Sequence, residues 1–536
     1  MYSYLALVGL LVLGLLTKRL LTHLRHQRLA REAGCKPAPR RAHRLPFGID
    51  LIRELMTADA VDEVPIHFER LTDKMAPAHT WEQHLLGRMN FMTVEPANIK
   101  AILATQFKDF SLGPQRKGSL APMFAHGIFS DDGERWERSR ALIRPSFARD
   151  QLANVEVLEV HVQNLMRAIN ANLEASGWTG NVNLVPLFFR LTLDSSTETL
   201  FGQSVNSQLS ALTSHQDASA LSAEDLQWQN FGPAFDGATE EVTKRFRLNS
   251  MYWLHDTKAL RDQCAEVHRF ADHFVRLALQ PASEKDPERG EQKQPYVFLH
   301  ELAKSTQDPT ELRDQLLNVL LAGRDTTANL LSFTFYQLAR HPTVLSKLRK
   351  SILSDFGTYT NPHTLDFTTL KACTYLQHVL NESLRLHPAV PINSRRAVKD
   401  TTLPLGGGPD FSSPIFIPKG TEVGYSVHAM QRRTDLWGAD AHDFNPERWV
   451  GRKAGWEFLP FNGGPRICLG QQAALTTAGY TTVRLLQRFD QLADLVPHNL
   501  ETGRERYWCA LTDAPVHVNV RIHEAAAAAA TAAATA

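Results

Sequence analysis

Apolar positions recur along this chain with several periods, and each period predicts an element. From Tyr4 to Leu16 they are continuous, rich in Leu and Val and broken by Gly9 and Gly14. Lys18 and Arg19 follow, then Leu20 and Leu21, so the apolar length is at the short edge of the roughly 17–25 residues that span a bilayer. A cleaved signal peptide would want a basic residue before the run and a small-residue cleavage site after it, and neither is present. A retained signal-anchor is therefore the preferred reading. Lys18, Arg19, Arg25, Arg28, Arg31, Lys36, Arg40, Arg41 and Arg44 all follow the run, which places the bulk of the chain on the cytosolic side. Pro37, Pro39 and Pro46 predict a stiff, non-helical exit.

Past residue 50 the pattern becomes globular. His84 to Val94 reads as a hairpin broken at Gly87, and Glu95-Pro96 opens a short helix through Ile102. Phe107 to Phe129, with Gly113, Pro114, Gly118, Pro122 and Gly127, reads as a long loop of the kind that often binds. A helix starts at Asp131-Asp132-Gly133 and runs toward Arg144-Pro145. Residues 151 to 280 read as mostly helical; Ser204 to Glu224 is an exposed connection and Glu284 to Pro295 a charged loop. The next helix is well marked: Asp308 as N-cap, Pro309 first, Glu311 as capping-box partner, and an end near Arg340 before His341-Pro342. Its middle, Leu316 to Leu321 and Leu330 to Phe335, is apolar nearly all round and so buried. At its centre stands Ala322-Gly323-Arg324-Asp325-Thr326-Thr327. Gly323 costs about 1 kcal/mol there against Ala, and buried Asp325 needs a partner. Gly323 would leave room for a small ligand, and Thr326 could bond back to a carbonyl or offer its hydroxyl to that ligand.

A later helix carries Glu382-Ser383-Leu384-Arg385, on its own an ordinary helix-face salt bridge. Pro391 to Arg396 is extended. Leu403 to Gly408, Ile415 to Gly420 and Thr421 to His428 read as short strands, and a helix follows Gly470 through Phe489. Tyr507 to Val520 predicts a terminal hairpin turning at Leu511-Thr512. Glu524 to Ala536 is a low-complexity Ala/Thr tail. The fold class is mainly α with small β-sheets.

Composition narrows the function. Of 536 residues, 43% are hydrophobic and 21% charged, enough for a large core. A net charge of +1 gives no field for nucleic acid. Cys35, Cys264, Cys373, Cys468 and Cys509 are scattered and form no CxxC pair, which disfavours a disulfide framework or a zinc site. Cys468 differs from the rest. It sits in Phe461-Asn462-Gly463-Gly464-Pro465-Arg466-Ile467-Cys468-Leu469-Gly470, a tight loop leading into a helix. There, backbone N–H groups and the helix dipole favour a thiolate, a soft ligand for iron. The glycines let the backbone approach a large flat group, and Arg466 could pair with an acid on it.

Phe461, Gly464, Arg466, Cys468 and Gly470 match the haem-binding loop of the cytochrome P-450 family position for position. Four more elements of that family occur in its order: Trp136-x-x-x-Arg140, Ala322-Gly323-x-Asp325-Thr326, Glu382-x-x-Arg385 and Pro446-Glu447-Arg448-Trp449, with Trp449 in place of phenylalanine. The wording around Gly127-Ile128-Phe129, Leu317 to Thr327 and Phe461 to Gln472 is similar to the fungal microsomal branch that hydroxylates n-alkanes and fatty acids.

The resemblance implies a helical prism enclosing haem b. Residues 1–22 would be the transmembrane anchor, 23–50 a basic linker, 51–523 the catalytic domain and 524–536 the tail. It implies Cys468 as axial iron ligand; Trp136, Arg140, Arg395 and Arg466 as propionate donors; Asp325 and Thr326 as proton donors to dioxygen; and Glu382, Arg385 and Arg448 as a buried triad. The activity implied is insertion of one oxygen atom from O2 into a C–H bond of a lipophilic substrate: a fatty acid, alkane or other aliphatic chain, or alternatively a secondary-metabolite intermediate. A haem-thiolate isomerase, which usually lacks the acid–threonine pair, and a non-catalytic haem protein are remoter readings. Electrons would come from NADPH–cytochrome P-450 reductase, since no G-x-G-x-x-G follows a strand here. The protein would sit in the endoplasmic reticulum membrane as a single-pass protein with its catalytic domain cytosolic. Phe107 to Phe129, Leu317 to Thr326, Ala389 to Ser394 and Leu511-Thr512 would line the substrate pocket by analogy.

Overall fold

Polar groups in the helix Pro309–Arg340 divide the hydrophobic core. The computed structural model describes residues 2–147, 155–213, 227–280, 297–495, 507–509, 513–515 and 517–526. Among them this helix is 32 residues long and opens as its signals predict, with Asp308 accepting from Thr310 N and Glu311 N. Glu311 does not close a capping box; its carboxylate takes two bonds from Arg138 and one from Thr306. Leu316, Leu317, Leu320 and Leu321 belong to one apolar cluster, shared with helices Pro114–Phe124, Phe231–Arg247 and Lys258–Leu279. Ala328, Leu330, Leu331, Phe335 and Leu338 belong to another, shared with helices Glu156–Asn170, Pro342–Phe356, Thr374–Leu386 and Gln471–Arg488. The polar stretch falls between the two.

The strands gather to one side. A five-stranded sheet runs in the order Thr80–Leu85, Arg88–Thr93, Glu422–Ser426, Ile392–Ala397, Phe110–Ser111. The second and third pair in parallel, Asn90 opposite Glu422. Leu86 and Gly87, both with positive φ, turn the first hairpin, which begins at Thr80 rather than His84. Thr401–Gly407 pairs with Ser413–Ile417. Tyr507–Cys509 pairs with Asp513–Pro515, but Leu511-Thr512 lies outside the described residues. Asn519–Glu524 is not part of that hairpin, because it pairs with Phe489–Asp494 and, at its start, Val182–Asn183. Ser204 to Glu224 includes a short helix, Ser207–Thr213; its remainder beyond 213, and Glu284 to Pro295, lie outside the described residues.

The loop expected over Phe107 to Phe129 holds a helix, Pro114–Phe124, with Pro122 inside it. A proline there removes the bond to the carbonyl four residues back, which is Gly118 O. Arg245 replaces it: Nη2 donates to Gly118 O at 2.9 Å and Nε to Ser119 O at 3.2 Å. Gly118 is needed because a Cβ would fall 2.1 Å from the Tyr252 ring. Sequence breakers are thus accommodated by a distant arginine and a close helix approach.

At the N-terminus the helix Tyr2–Glu32 runs well past residue 22, through the basic stretch. Leu7, Leu10, Leu11, Leu13, Leu15 and Leu16 are exposed on it. Its far end is docked: Arg25 pairs with Asp400 at 2.9 Å and His26 meets the Phe416 ring. The segment expected as a linker is tied to the sheets, with Lys36 N donating to Pro414 O, Arg41 N to Glu82 O and Glu82 N to Pro39 O. No helix among the described residues is long and apolar enough to cross a membrane.

Glu382 is fully buried beside Arg385. Its carboxylate accepts from Arg385 Nε and Nη2 at 2.9 and 2.8 Å, Arg448 Nε at 3.2 Å and Asn445 N at 3.0 Å. Trp449 adds a fifth bond, Nε1 to Oε2 at 2.9 Å. The tryptophan that looks like a mild aromatic exchange in the sequence therefore supplies a donor phenylalanine lacks. Trp449→Phe should lower stability by about 1.5–3 kcal/mol, the worth of a hydrogen bond to a charged group. Urea unfolding of the cofactor-loaded protein measures this; an unchanged midpoint would show the indole bond to be idle.

Candidate haem site

The cysteine loop enters the helix Gln471–Arg488, which packs on Pro309–Arg340. Cys468 N donates to Phe461 O at 3.0 Å, closing the loop on itself. Gly464 has φ +67°, and a Cβ there would fall 1.9 Å from Leu103 O. At Gly463 a Cβ would strike the Trp456 ring, and at Gly470 it would come 3.4 Å from Phe147. The close approach these glycines permit is thus to the protein's own atoms, which seat the loop in the fold.

Cys468 is accessible yet deep in the fold. Burial pushes its thiol above the ordinary value; a hydrogen bond from the Gly470 backbone and the charge of Arg140 act the other way without overcoming it. The loop alone does not favour the thiolate as the sequence suggested. A metal cation held there would supply the missing charge, since a coordinating thiol is deprotonated outright.

Arginines gather beside it. Arg140 Nη1 donates to Ile467 O at 3.0 Å. Arg466 bonds Asp131 O and Asp132 Oδ1 at 2.9 and 2.8 Å and lies 4.3 Å over the Trp136 ring. Arg395 is buried, with Nη1 on Asn393 Oδ1 at 3.0 Å, and Arg116 Nη2 reaches the same oxygen at 2.6 Å. Burial, then repulsion from Arg395, pushes the Arg116 guanidinium down to about 10. Arg466 is also pushed down to about 10, by burial first; Asp132 opposes this, while Arg395, Arg116 and Arg140 add to it. Among the described residues the carboxylate in direct contact with this cluster is Asp132. Trp136 is buried and its Nε1 has no partner there. Surplus buried positive charge, an orphaned indole donor and a nearby thiol fit a group with acidic side arms and a thiolate-binding metal.

Sequence reasoning missed Arg116 and Asn393. Arg116 lay in a stretch read as loop. Asn393 stands two residues before Arg395, so its polar side chain in that extended segment was the available signal.

On the helix Pro309–Arg340, Asp325 is buried and finds its partner next door, Arg324 Nη1 at 3.1 Å. Arg324 also reaches half-exposed Asp236 on Phe231–Arg247, Nη2 to Oδ1 at 2.5 Å. Burial pushes the Asp325 carboxyl up to about 6, against Arg324 and with help from Asp236. Thr326 Oγ1 donates to Ala322 O at 2.6 Å. A Cβ at Gly323 would come 3.3 Å from Ser196 Oγ, so the room it leaves lies against helix Leu184–Phe201.

Comparison with known proteins accords with this geometry. The family model "Cytochrome P450" matches residues 62–502. Cytochrome P450 monooxygenase g430 of Fusarium sp is 50% identical over 89% of this chain and 84% of its own length. Cytochrome P450 monooxygenase alt2 of Alternaria solani is 43% identical over 94% of both chains. Cytochrome P450 52A3-A of Candida maltosa is 49% identical over 75% of both. A crystal structure of the cytochrome P450DA heme domain shares the fold at TM-score 0.71 and 20% identity, covering 91% of this chain and 98% of that one. The chain belongs to the cytochrome P450 family, and it is a monooxygenase whose cofactor is iron protoporphyrin IX.

Proposed function

We propose that this monooxygenase hydroxylates an aliphatic C–H bond, and that Cys468 would hold the haem iron through its sulfur. The observation that carries the assignment is the pairing of that loop and its arginine cluster with a buried acid–alcohol turn on the facing helix. Bound haem supplies the oxygen-activating chemistry. The protein holds, orients and shields. The Gly470 N–H tunes the Cys468 sulfur. Trp136, Arg140, Arg395 and Arg466, with Arg116, would hold the propionates. Buried Asp325 would supply a proton, and Thr326 would offer its hydroxyl. Arg324 connects Asp325 to Asp236 at the surface. Leu317 and Leu321 precede that turn on the same helix and share an apolar cluster with Leu120, Met123 and Phe124, which suits an alkyl chain.

Electrons are assigned to an NADPH–cytochrome P450 reductase. Residues 1–22, the apolar start of the Tyr2–Glu32 helix, are assigned to the endoplasmic reticulum membrane as a single-pass anchor with the catalytic domain cytosolic; their exposed leucines and the basic residues after them support this. A product profile across fatty acids, n-alkanes and lipid-tailed pathway intermediates tests the substrate class.

Cys468→Ser should abolish the thiolate-type Soret band of the reduced carbon-monoxide complex. A retained band would remove Cys468 from the metal. Thr326→Ala should raise NADPH consumption per product about tenfold, measured by product and peroxide yields; unchanged coupling would refute its role. The Asp325 carboxyl is raised in the folded state, so its stabilising contribution is whole below the unfolded value and lost as pH rises through about 6. Asp325→Asn should therefore be more stable than the parent at pH 7, on the order of 3 kcal/mol, with the gap closing toward pH 4. Denaturant midpoints across that range decide it.

A further inference from the structure

Asn329 is 1% exposed, and neither Oδ1 nor Nδ2 has a hydrogen-bond partner among the described residues. A buried amide with both ends unmet is costly and unusual. Among the described residues Gln208 shares that condition, but Asn329 stands on the oxygen-side helix. At about 100° per residue it projects about 40° round from Asp325 and about 60° from Thr326, one turn further along. Helical side chains lean toward the N-terminus, so its carboxamide leans back over the Asp325–Thr326 turn. Thr326 is itself engaged by Ala322 O and Asp325 by Arg324, so neither supplies the missing partner.

We propose that Asn329 is a positioning residue that holds a water against the Asp325–Thr326 pair and so maintains its proton supply. A buried amide with an unmet donor and an unmet acceptor suits an ordered water, which needs two to four polar partners. The carboxamide can both donate to and accept from that water. The water then passes a proton from solvent to the Asp325 carboxylate after the carboxyl has given one up. The inference rests on the acid–alcohol reading above.

The test uses the haem-loaded full chain with its reductase and lauric acid as the added ligand. Asn329→Leu replaces the amide with an apolar group of similar size. Its haem content should match the parent and its melting temperature should be equal or higher, because two unmet polar groups are gone. Peroxide released per NADPH should rise about threefold or more, with an altered solvent deuterium isotope effect on NADPH consumption. Asn329→Ser, which keeps a polar group and room for water, should restore coupling, and serves as the test if the leucine variant does not fold. Parent-like peroxide yield and isotope effect in a folded, haem-replete Asn329→Leu would overturn the proposal. So would a melting temperature that falls with coupling and is not matched by rescue in Asn329→Ser. Thr326→Ala and Asp325→Asn run alongside. If they leave coupling intact, the acid–alcohol reading fails; if they uncouple and Asn329→Leu does not, this inference alone fails.

Discussion

A carboxylate with no access to water, Glu382, is the constraint on which the cysteine loop's position depends. Burying such a charge costs several kcal/mol unless its oxygens are filled. Here five donors fill them, from Arg385, Arg448, Asn445 and Trp449. The two arginines then need acceptors of their own. Arg385 takes the carbonyls of Gln431, Ala441 and Asp443, and Arg448 takes those of Trp437 and Asp440. The long irregular segment before the loop is thereby held by charge rather than by secondary structure. Gln431 completes the link, donating to Leu384 O and Arg385 O and accepting from Leu459 N, two residues before Phe461.

The arginines near the cysteine loop obey the opposite electrostatics. Glu382 meets an excess of donors, whereas Arg116, Arg395 and Arg466 repel one another with a neutral amide and one aspartate between them. A structure tolerates this arrangement when an anionic group completes it. Both networks contain buried arginines; the difference is whether the counter-charge is carried by the chain.

Local rules read much of the fold correctly. The N-cap and first proline of the long helix, the helix carrying Trp136 and Arg140, and the first hairpin follow from side-chain chemistry that acts within a few residues. Asp325 and Thr326 lie on the long helix and Glu382 and Arg385 on a later one, as the periodicity predicts. Where local rules failed, a distant group had intervened. Pro122 and Gly118 looked like loop residues until Arg245 took the vacated carbonyl and Tyr252 took the glycine's space. Asn519 and Val520 looked like the end of a hairpin because the partner of their strand, Asn519–Glu524, lies some thirty positions back.

The sequence by itself determined the chemistry this protein can do, because ligand, acid and hydroxyl are residue types at spacings that a loop and a helix turn fix locally. It also determined that the long helix is buried and polar at its centre. Only the tertiary structure decided which charges are satisfied. It showed that Asp325 is answered by Arg324, that Trp449 bonds Glu382, that Arg116 joins the arginine cluster and that Asn329 is answered by nothing in the described chain. Hydrogen-bond satisfaction is a property of atoms from distant segments meeting in space, and spacing along the chain does not encode it.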